Sequence, residues 1–99
     1  MGAALEQIVR IVNTLEPESD WEMGLQRILE NEIRRRLNRY ELADRQLQQK
    51  YEMDFKAFRQ ADVVAEKGYS FEVESDFCDW ELAQSGIRSL KQELAEVTT

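Results

Sequence analysis

The densest group of residues that could do chemistry is a run of carboxylates near the C-terminal third. Two of them, Asp76 and Asp79, are about one helical turn apart, so their oxygens could hold a hard cation such as magnesium or calcium. The spacing matches no calcium loop, however, and the glycine that such a loop needs is missing. We therefore expect no metal site and predict a protein-binding surface instead. We call these residues the acidic block: Glu72, Glu74, Asp76, Asp79 and Glu81.

Other catalytic groups are scarce. The chain has no histidine, which removes the commonest general base and the commonest transition-metal ligand. Cys78 is the only cysteine, so no intrachain disulfide can form, and flanking acids do not activate its thiol. No glycine-rich loop is present to cradle a phosphate. We predict that the protein is not an enzyme and needs no cofactor; a carboxylate–metal enzyme is the second alternative.

A basic run, Arg34-Arg35-Arg36 followed by Arg39, lies in the middle of the chain. It fits a solvated helix face whose arginines pair with acids four residues away. It also fits pairing with the acidic block, in the same chain or in a neighbouring one. Nucleic acid is the third option, and the net charge of −7 opposes it.

Charge is distributed unevenly over the 99 residues, which are enough for a single domain, 1–99. Residues 1–26 carry one base and five acids, residues 27–59 nine bases and six acids, and residues 60–99 three bases and nine acids. The middle is thus positive and both ends are negative. This pattern favours antiparallel matching within a chain or between chains.

Nothing in the sequence points to a membrane. No apolar run approaches the ~20 residues that a spanning helix needs. The first residues lack the basic start and apolar core of a signal peptide. We expect a cytoplasmic protein.

Apolar residues at three- and four-residue steps predict two helices in the first half of the chain. The N-terminal helix covers 1–16 and ends before Pro17. The long helix covers 19–51 and begins with a capping box, in which Ser19 caps the helix and Glu22 reaches back. The sequence leaves open whether this helix breaks or continues at Tyr51–Asp54.

Two further helices are predicted in the second half. A short one covers 54–67, with Asp54 as N-cap and Gly68 just after its end. Residues 69–75 alternate apolar and polar side chains and are interpreted as a packed connection. The last helix covers 75–97, capped by Ser75 or, as the weaker choice, by Ser70. Its apolar residues form a coiled-coil-like seam.

Together these elements predict an all-α fold of three to four helices, in which the long central helix packs antiparallel to the C-terminal helix. Thin amphipathic helices bury their aromatic residues poorly on their own, so we predict a homodimer or a higher oligomer. The predicted oligomer interface consists of the C-terminal seam and part of the long helix: Trp80, Ala83, Ile87, Leu90, Leu94, Val97, Leu37, Tyr40 and Leu47.

Three sequence blocks resemble a group of small acidic helical proteins of bacteria and archaea. The blocks are KYEMDFKAF (50–58), YSFEVESDFCDWELA (69–83) and IRSLKQELAEV (87–97). The genes of those proteins often lie beside that of a small toxin, and many are regarded as antitoxins. Their first block usually reads K-Y-G-M, with serine or threonine before the phenylalanine. This chain has Glu52 in place of the glycine and Asp54 in place of the serine.

The resemblance implies that the protein binds and neutralises a small basic toxin encoded beside it. Acidic character is compatible with this, because it suits the covering of a positively charged partner. No helix-turn-helix with a basic recognition helix is evident, so nucleic-acid binding is not expected. The principal alternative is a purely structural helical oligomer.

Overall fold

The computed structural model describes residues 2–99. Five helices contain about 83% of these residues. The helices are α1 (Ala3–Leu15), α2 (Trp21–Tyr51), α3 (Phe55–Gln60), α4 (Val63–Glu66) and α5 (Phe71–Val97). No strand occurs in this range, and the predicted all-α class is confirmed. None of these helices combines the length and the apolar character that crossing a lipid bilayer requires.

Helices α2 and α5 form a long antiparallel hairpin, as predicted. Their contacts run in opposite directions along the two helices: the Lys50 side chain meets Asp76, whereas Tyr40 packs on Gly86. A Cβ atom on Gly86 would lie 2.6 Å from the Tyr40 ring, so glycine allows the two helices to approach closely here.

The N-cap of α2 differs from the prediction. Asp20, not Ser19, caps the helix: its carboxylate accepts a hydrogen bond of 2.8 Å from the Met23 amide. Both residue types cap helices well, and sequence alone does not choose between two adjacent candidates. A carboxylate also interacts favourably with the positive end of the helix dipole, which an uncharged serine cannot do.

The long helix does break at the position that the sequence left open. It ends at Tyr51, and Glu52 adopts a left-handed conformation with φ of 55°. Asp54 then caps α3 as predicted, accepting a hydrogen bond of 2.8 Å from the Ala57 amide. The segment predicted as one short helix, 54–67, forms two, because Asp62 also adopts a positive φ, of 50°, and separates α3 from α4.

The last helix begins earlier than its predicted start at Ser75. Ser70 is the N-cap, and its hydroxyl accepts a hydrogen bond of 3.3 Å from the Val73 amide. Gly68 and Tyr69 both have positive φ values, 72° and 55°, and turn the chain sharply so that helix can start at Phe71. The apolar–polar alternation of 69–75 therefore belongs to a turn and the first turns of a helix.

The hydrophobic core lies at one end of the hairpin, which we call the aromatic end. There α3 and α4 pack over the junction of α2 and α5. Trp80 and Phe58 are 0% and 1% exposed, and their ring centroids are 5.1 Å apart. The cluster of buried residues is Phe55, Phe58, Val63, Val73 and Trp80.

The other end, which we call the open end, comprises α1, the first turns of α2 and the last turns of α5. Val12 is the only buried residue of α1 and packs against Gly24 of α2. The molecule is elongated, 56 × 25 × 18 Å, with a radius of gyration of 19.3 Å. A compact domain of this length would have about 13 Å. The fold is thus an extended hairpin with one well-packed end.

Candidate protein-binding site

The fold places the acidic block at the aromatic end and divides it between two roles. Glu72 and Asp76 are used within the chain: the Lys50 ammonium lies 2.6 Å from a carboxylate oxygen of each. The Tyr51 hydroxyl also donates a hydrogen bond to Asp76. These contacts tie the start of α5 to the end of α2. Lys50 was not identified as a partner from the sequence.

The electrostatics of this group follow from its contacts. Burial, followed by the hydrogen bond to Asp76, raises the pKa of Tyr51 from 10.0 to about 12. Burial alone would raise the pKa of Asp76, but hydrogen bonds from Lys50 and Tyr51 outweigh it and lower that pKa. The Asp76 carboxylate is therefore held in its charged form by two donors from α2.

The other acidic-block residues face outwards. Glu74, Asp79 and Glu81 are exposed, and none of them forms an ion pair with another residue in the range 2–99. Glu74 and Glu81 are seven residues apart, so they lie on the same side of α5, and Cys78 lies between them. Three of the five acidic-block residues are thus available to another molecule.

Two exposed aromatic residues lie near Glu74, at the start of α5. Phe71 is 87% exposed and Tyr69 is 62% exposed. Next to them is an open cavity of about 420 Å³, lined by Asp62, Val64, Tyr69, Glu74, Phe77 and Cys78. We call Tyr69, Phe71, Glu74 and Glu81, together with this cavity, the tip surface. This surface combines two large aromatic side chains with two carboxylates that form no ion pair within residues 2–99.

The exposure of Tyr69 and Phe71 was not predicted from the sequence, because the alternation of residues 69–75 is typical of a packed connection. One signal was available. When the apolar period of α5 is followed backwards from Trp80, it passes through Phe77 and Val73 and leaves Phe71 off the seam.

The arginines in the middle of α2 pair locally. Arg34 contacts Glu30, and both Arg35 and Arg36 contact Glu32, all within the same helix. Hydrogen bonds from Arg35 and then Arg36 lower the pKa of Glu32 from 4.5 to about 2. Of the three options drawn from the sequence, a solvated face with helical partners describes these residues.

The predicted oligomer interface is largely used inside the chain. Trp80, Ala83 and Leu37 are buried between α2 and α5 or under α3, so in this fold they offer no surface to a second copy. The remaining members are half-buried along the hairpin: Ile87, Leu90, Leu94, Val97, Tyr40 and Leu47. Self-association through these residues stays a prediction, and the seam itself is occupied by the chain's own second helix.

Within residues 2–99, no three acids, cysteines or histidines come together in a way that could hold a metal ion. Asp76 is already engaged by Lys50 and Tyr51, whereas Asp79 lies beside a separate groove between α2 and α5. Cys78 is a free, exposed thiol at the edge of the tip cavity.

Comparison with known proteins gives no relative: no protein-family model, no curated protein and no solved structure matches the chain.

Proposed function

We propose that this protein is a non-enzymatic interaction module that binds a basic protein through the tip surface. The observation that carries this proposal is the exposure of Phe71 and Tyr69, 87% and 62%, beside a well-packed core. Aromatic side chains are the commonest anchors of protein interfaces, because each buries a large area and loses little conformational freedom.

Charge supports a basic partner. Glu74 lines the tip cavity together with Tyr69, Glu81 lies two turns further along the same side of α5, and the chain as a whole carries −7. A negative surface attracts a positive partner over several ångströms and accelerates the encounter, while the aromatic residues slow dissociation. Glu72 and Asp76, which pair with Lys50, contribute less to the attraction of a positive partner.

The resemblance described above makes a small toxin the expected partner. Two local features support it. Glu52 occupies the position where the resembled proteins have glycine, and its positive φ is a conformation that glycine adopts without strain. Asp54 occupies the serine or threonine position and acts as an N-cap, as those residues do.

The test is a comparison of two doubly substituted baits that carry the same charge change. Glu74→Lys/Glu81→Lys reverses the tip carboxylates. Glu93→Lys/Glu96→Lys reverses two exposed acids on the same helix, centred about 26 Å further along it. Each bait is used to recover proteins from native lysate, and bound proteins are identified by mass spectrometry.

We expect wild type and the Glu93/Glu96 variant to recover the same basic protein, and the Glu74/Glu81 variant to lose it. A Phe71→Ala bait should bind at the same rate but release the partner faster, and its circular dichroism should match wild type, since the side chain is exposed. Equal recovery by both double variants, or a captured protein that is acidic, would refute the proposal.

A further inference from the structure

The tip cavity combines apolar side chains with two carboxylates. Val64 and Phe77 line it, are half-buried and pack against the aromatic core. The Phe77 ring is held by two rings of that core, at centroid distances of 5.7 and 6.3 Å. Asp62 and Glu74 also line the cavity, and both are exposed. A side chain that enters the cavity therefore contacts both apolar carbon and negative charge.

Neither of these two carboxylates is neutralised inside the chain. Within residues 2–99, Asp62 and Glu74 form no ion pair. Asp62 stands at the N-cap position of α4, but its side chain makes no capping hydrogen bond. Arg59 and Lys67, the bases nearest to Asp62 in the sequence, do not pair with it, and Arg59 lies over the Phe55 ring instead. Two negative charges are thus left at the cavity for a ligand to neutralise.

The charge of the tip cavity differs from that of four other cavities on the surface. Three of those are lined by one acid and one base each, and the fourth is lined by two bases. The tip cavity is lined by two acids and no base, which favours a cationic ligand. A metal ion is not that ligand, because in the part of the chain that the structure describes no three ligating residues come together to hold one.

We propose that the tip cavity binds an arginine side chain of the basic partner, an inference that rests on the proposed function. A guanidinium stacks on aromatic rings and donates to two carboxylates at once, whereas the compact ammonium of lysine stays strongly hydrated. Tyr69 supplies an exposed ring, and Asp62 and Glu74 supply the acceptors. The stem of the arginine packs on Val64 and Phe77. The volume of about 420 Å³ lies within the range of about 300–1,000 Å³ that is typical of ligand pockets.

An arginine in the cavity fixes how the partner sits on the tip surface. Attraction between net charges selects no orientation, and salt weakens it. A guanidinium between Asp62 and Glu74 instead makes directed hydrogen bonds to both. Asp62, which the sequence did not single out, is thus expected to slow dissociation of the partner more than it speeds association.

The first test titrates the isotope-labelled full chain with three small probes and follows its amide signals by NMR. N-acetyl-arginine amide carries the guanidinium, N-acetyl-citrulline amide has nearly the same shape without the charge, and N-acetyl-lysine amide carries an ammonium. We expect the arginine probe to shift amides around the tip cavity saturably, with a dissociation constant on the order of millimolar. The lysine probe should bind at least about fivefold more weakly and the citrulline probe not measurably. Equal binding of either control probe, or arginine shifts spread along α5, would overturn the proposal.

The second test compares two double variants that lose the same charge. Asp62→Asn/Glu74→Gln removes both carboxylate charges from the cavity, and asparagine tolerates the positive φ of position 62. Glu93→Gln/Glu96→Gln removes two charges from exposed positions elsewhere on α5. We expect the cavity variant to weaken binding of the arginine probe about tenfold or more and the control variant to change it less than about twofold. Equal weakening by both would mean that the probe responds to net charge alone, and would overturn the proposal.

A bait with the single substitution Asp62→Asn separates this inference from the proposed function. If the cavity holds an arginine of the partner, this bait should recover less of the basic protein than wild type does. Full recovery by Asp62→Asn, together with loss in the Glu74→Lys/Glu81→Lys bait, would overturn the arginine pocket and leave the tip surface as the binding site. Saturable binding of the arginine probe without recovery of any basic protein would support the pocket and refute the proposed function.

Discussion

The two ends of the α2–α5 hairpin are held together by different means. At the aromatic end, Tyr51, Phe58 and Trp80 contact one another, with ring centroids 4.7 to 6.1 Å apart. At the open end, α1 depends on Val12, and a side-chain amide of Gln26 donates to the Val97 carbonyl across the hairpin. One end has a core and the other has isolated contacts.

The difference shows where this fold gains its stability. Aromatic pairs add about 0.5–1.5 kcal/mol each beyond the area they bury. The indole nitrogen of the buried Trp80 is also satisfied, since it donates a hydrogen bond of 2.8 Å to Asp44 of α2. The tip surface therefore lies next to the best-packed part of the molecule, which we expect to be its most rigid part. A rigid surface loses less entropy when it binds.

The largest effect is expected from Trp80→Ala. Removing a fully buried indole leaves a cavity at the centre of the aromatic end and should lower the free energy of unfolding by about 3–5 kcal/mol. Leu94→Ala, at the half-buried open end, should lower it by only about 1–2 kcal/mol. Urea denaturation followed by circular dichroism measures both values. Equal losses would mean that the two ends of the hairpin contribute equally to the free energy of unfolding.

A smaller effect is expected from the pH dependence of Tyr51. Its pKa is raised from 10.0 to about 12 in the folded chain, so the folded state holds this proton more tightly than the unfolded state. The resulting stabilisation is complete below pH 10 and is lost as pH rises towards 12. Urea denaturation over this range should show a steeper loss for wild type than for Tyr51→Phe. Parallel curves would indicate that neither burial nor the bond to Asp76 raises the Tyr51 pKa on folding.

The sequence was sufficient to predict the hairpin and some of the residues at which its helices begin and end. The regular apolar period of α5 reflects a real seam, because one side of that helix packs along α2 from Asp76 to Val97. Asp54 was identified as a cap because it directly precedes an apolar face. Competing signals were harder to judge. Ser70 and Ser75 are both good caps, and the turn before α5 decides between them, since Gly68 and Tyr69 adopt positive φ values that the side-chain pattern does not reveal.

The candidate site was predicted in part. The acidic block was evident as a cluster of charges, but its division was not, because the Lys50 contacts join residues 22 and 26 positions apart. Phe71 and Val73 are both apolar and two positions apart, yet one is 87% exposed and the other 5%. Val73 continues the apolar period of α5 and Phe71 does not, but this distinction holds only if residues 71–75 are helical, which the sequence did not predict.

Hydrogen exchange resolved by residue tests most directly whether the two ends differ in stability. If they do, amides of α3 and of α5 from Val73 to Ala83 should exchange only when the whole chain unfolds. Amides of α1 should exchange through local opening at a much lower free energy. Val12→Ser should lower the free energy at which α1 opens locally, without changing the protection of amides near Trp80. Uniform protection along the chain, or a loss near Trp80 in that variant, would contradict the account.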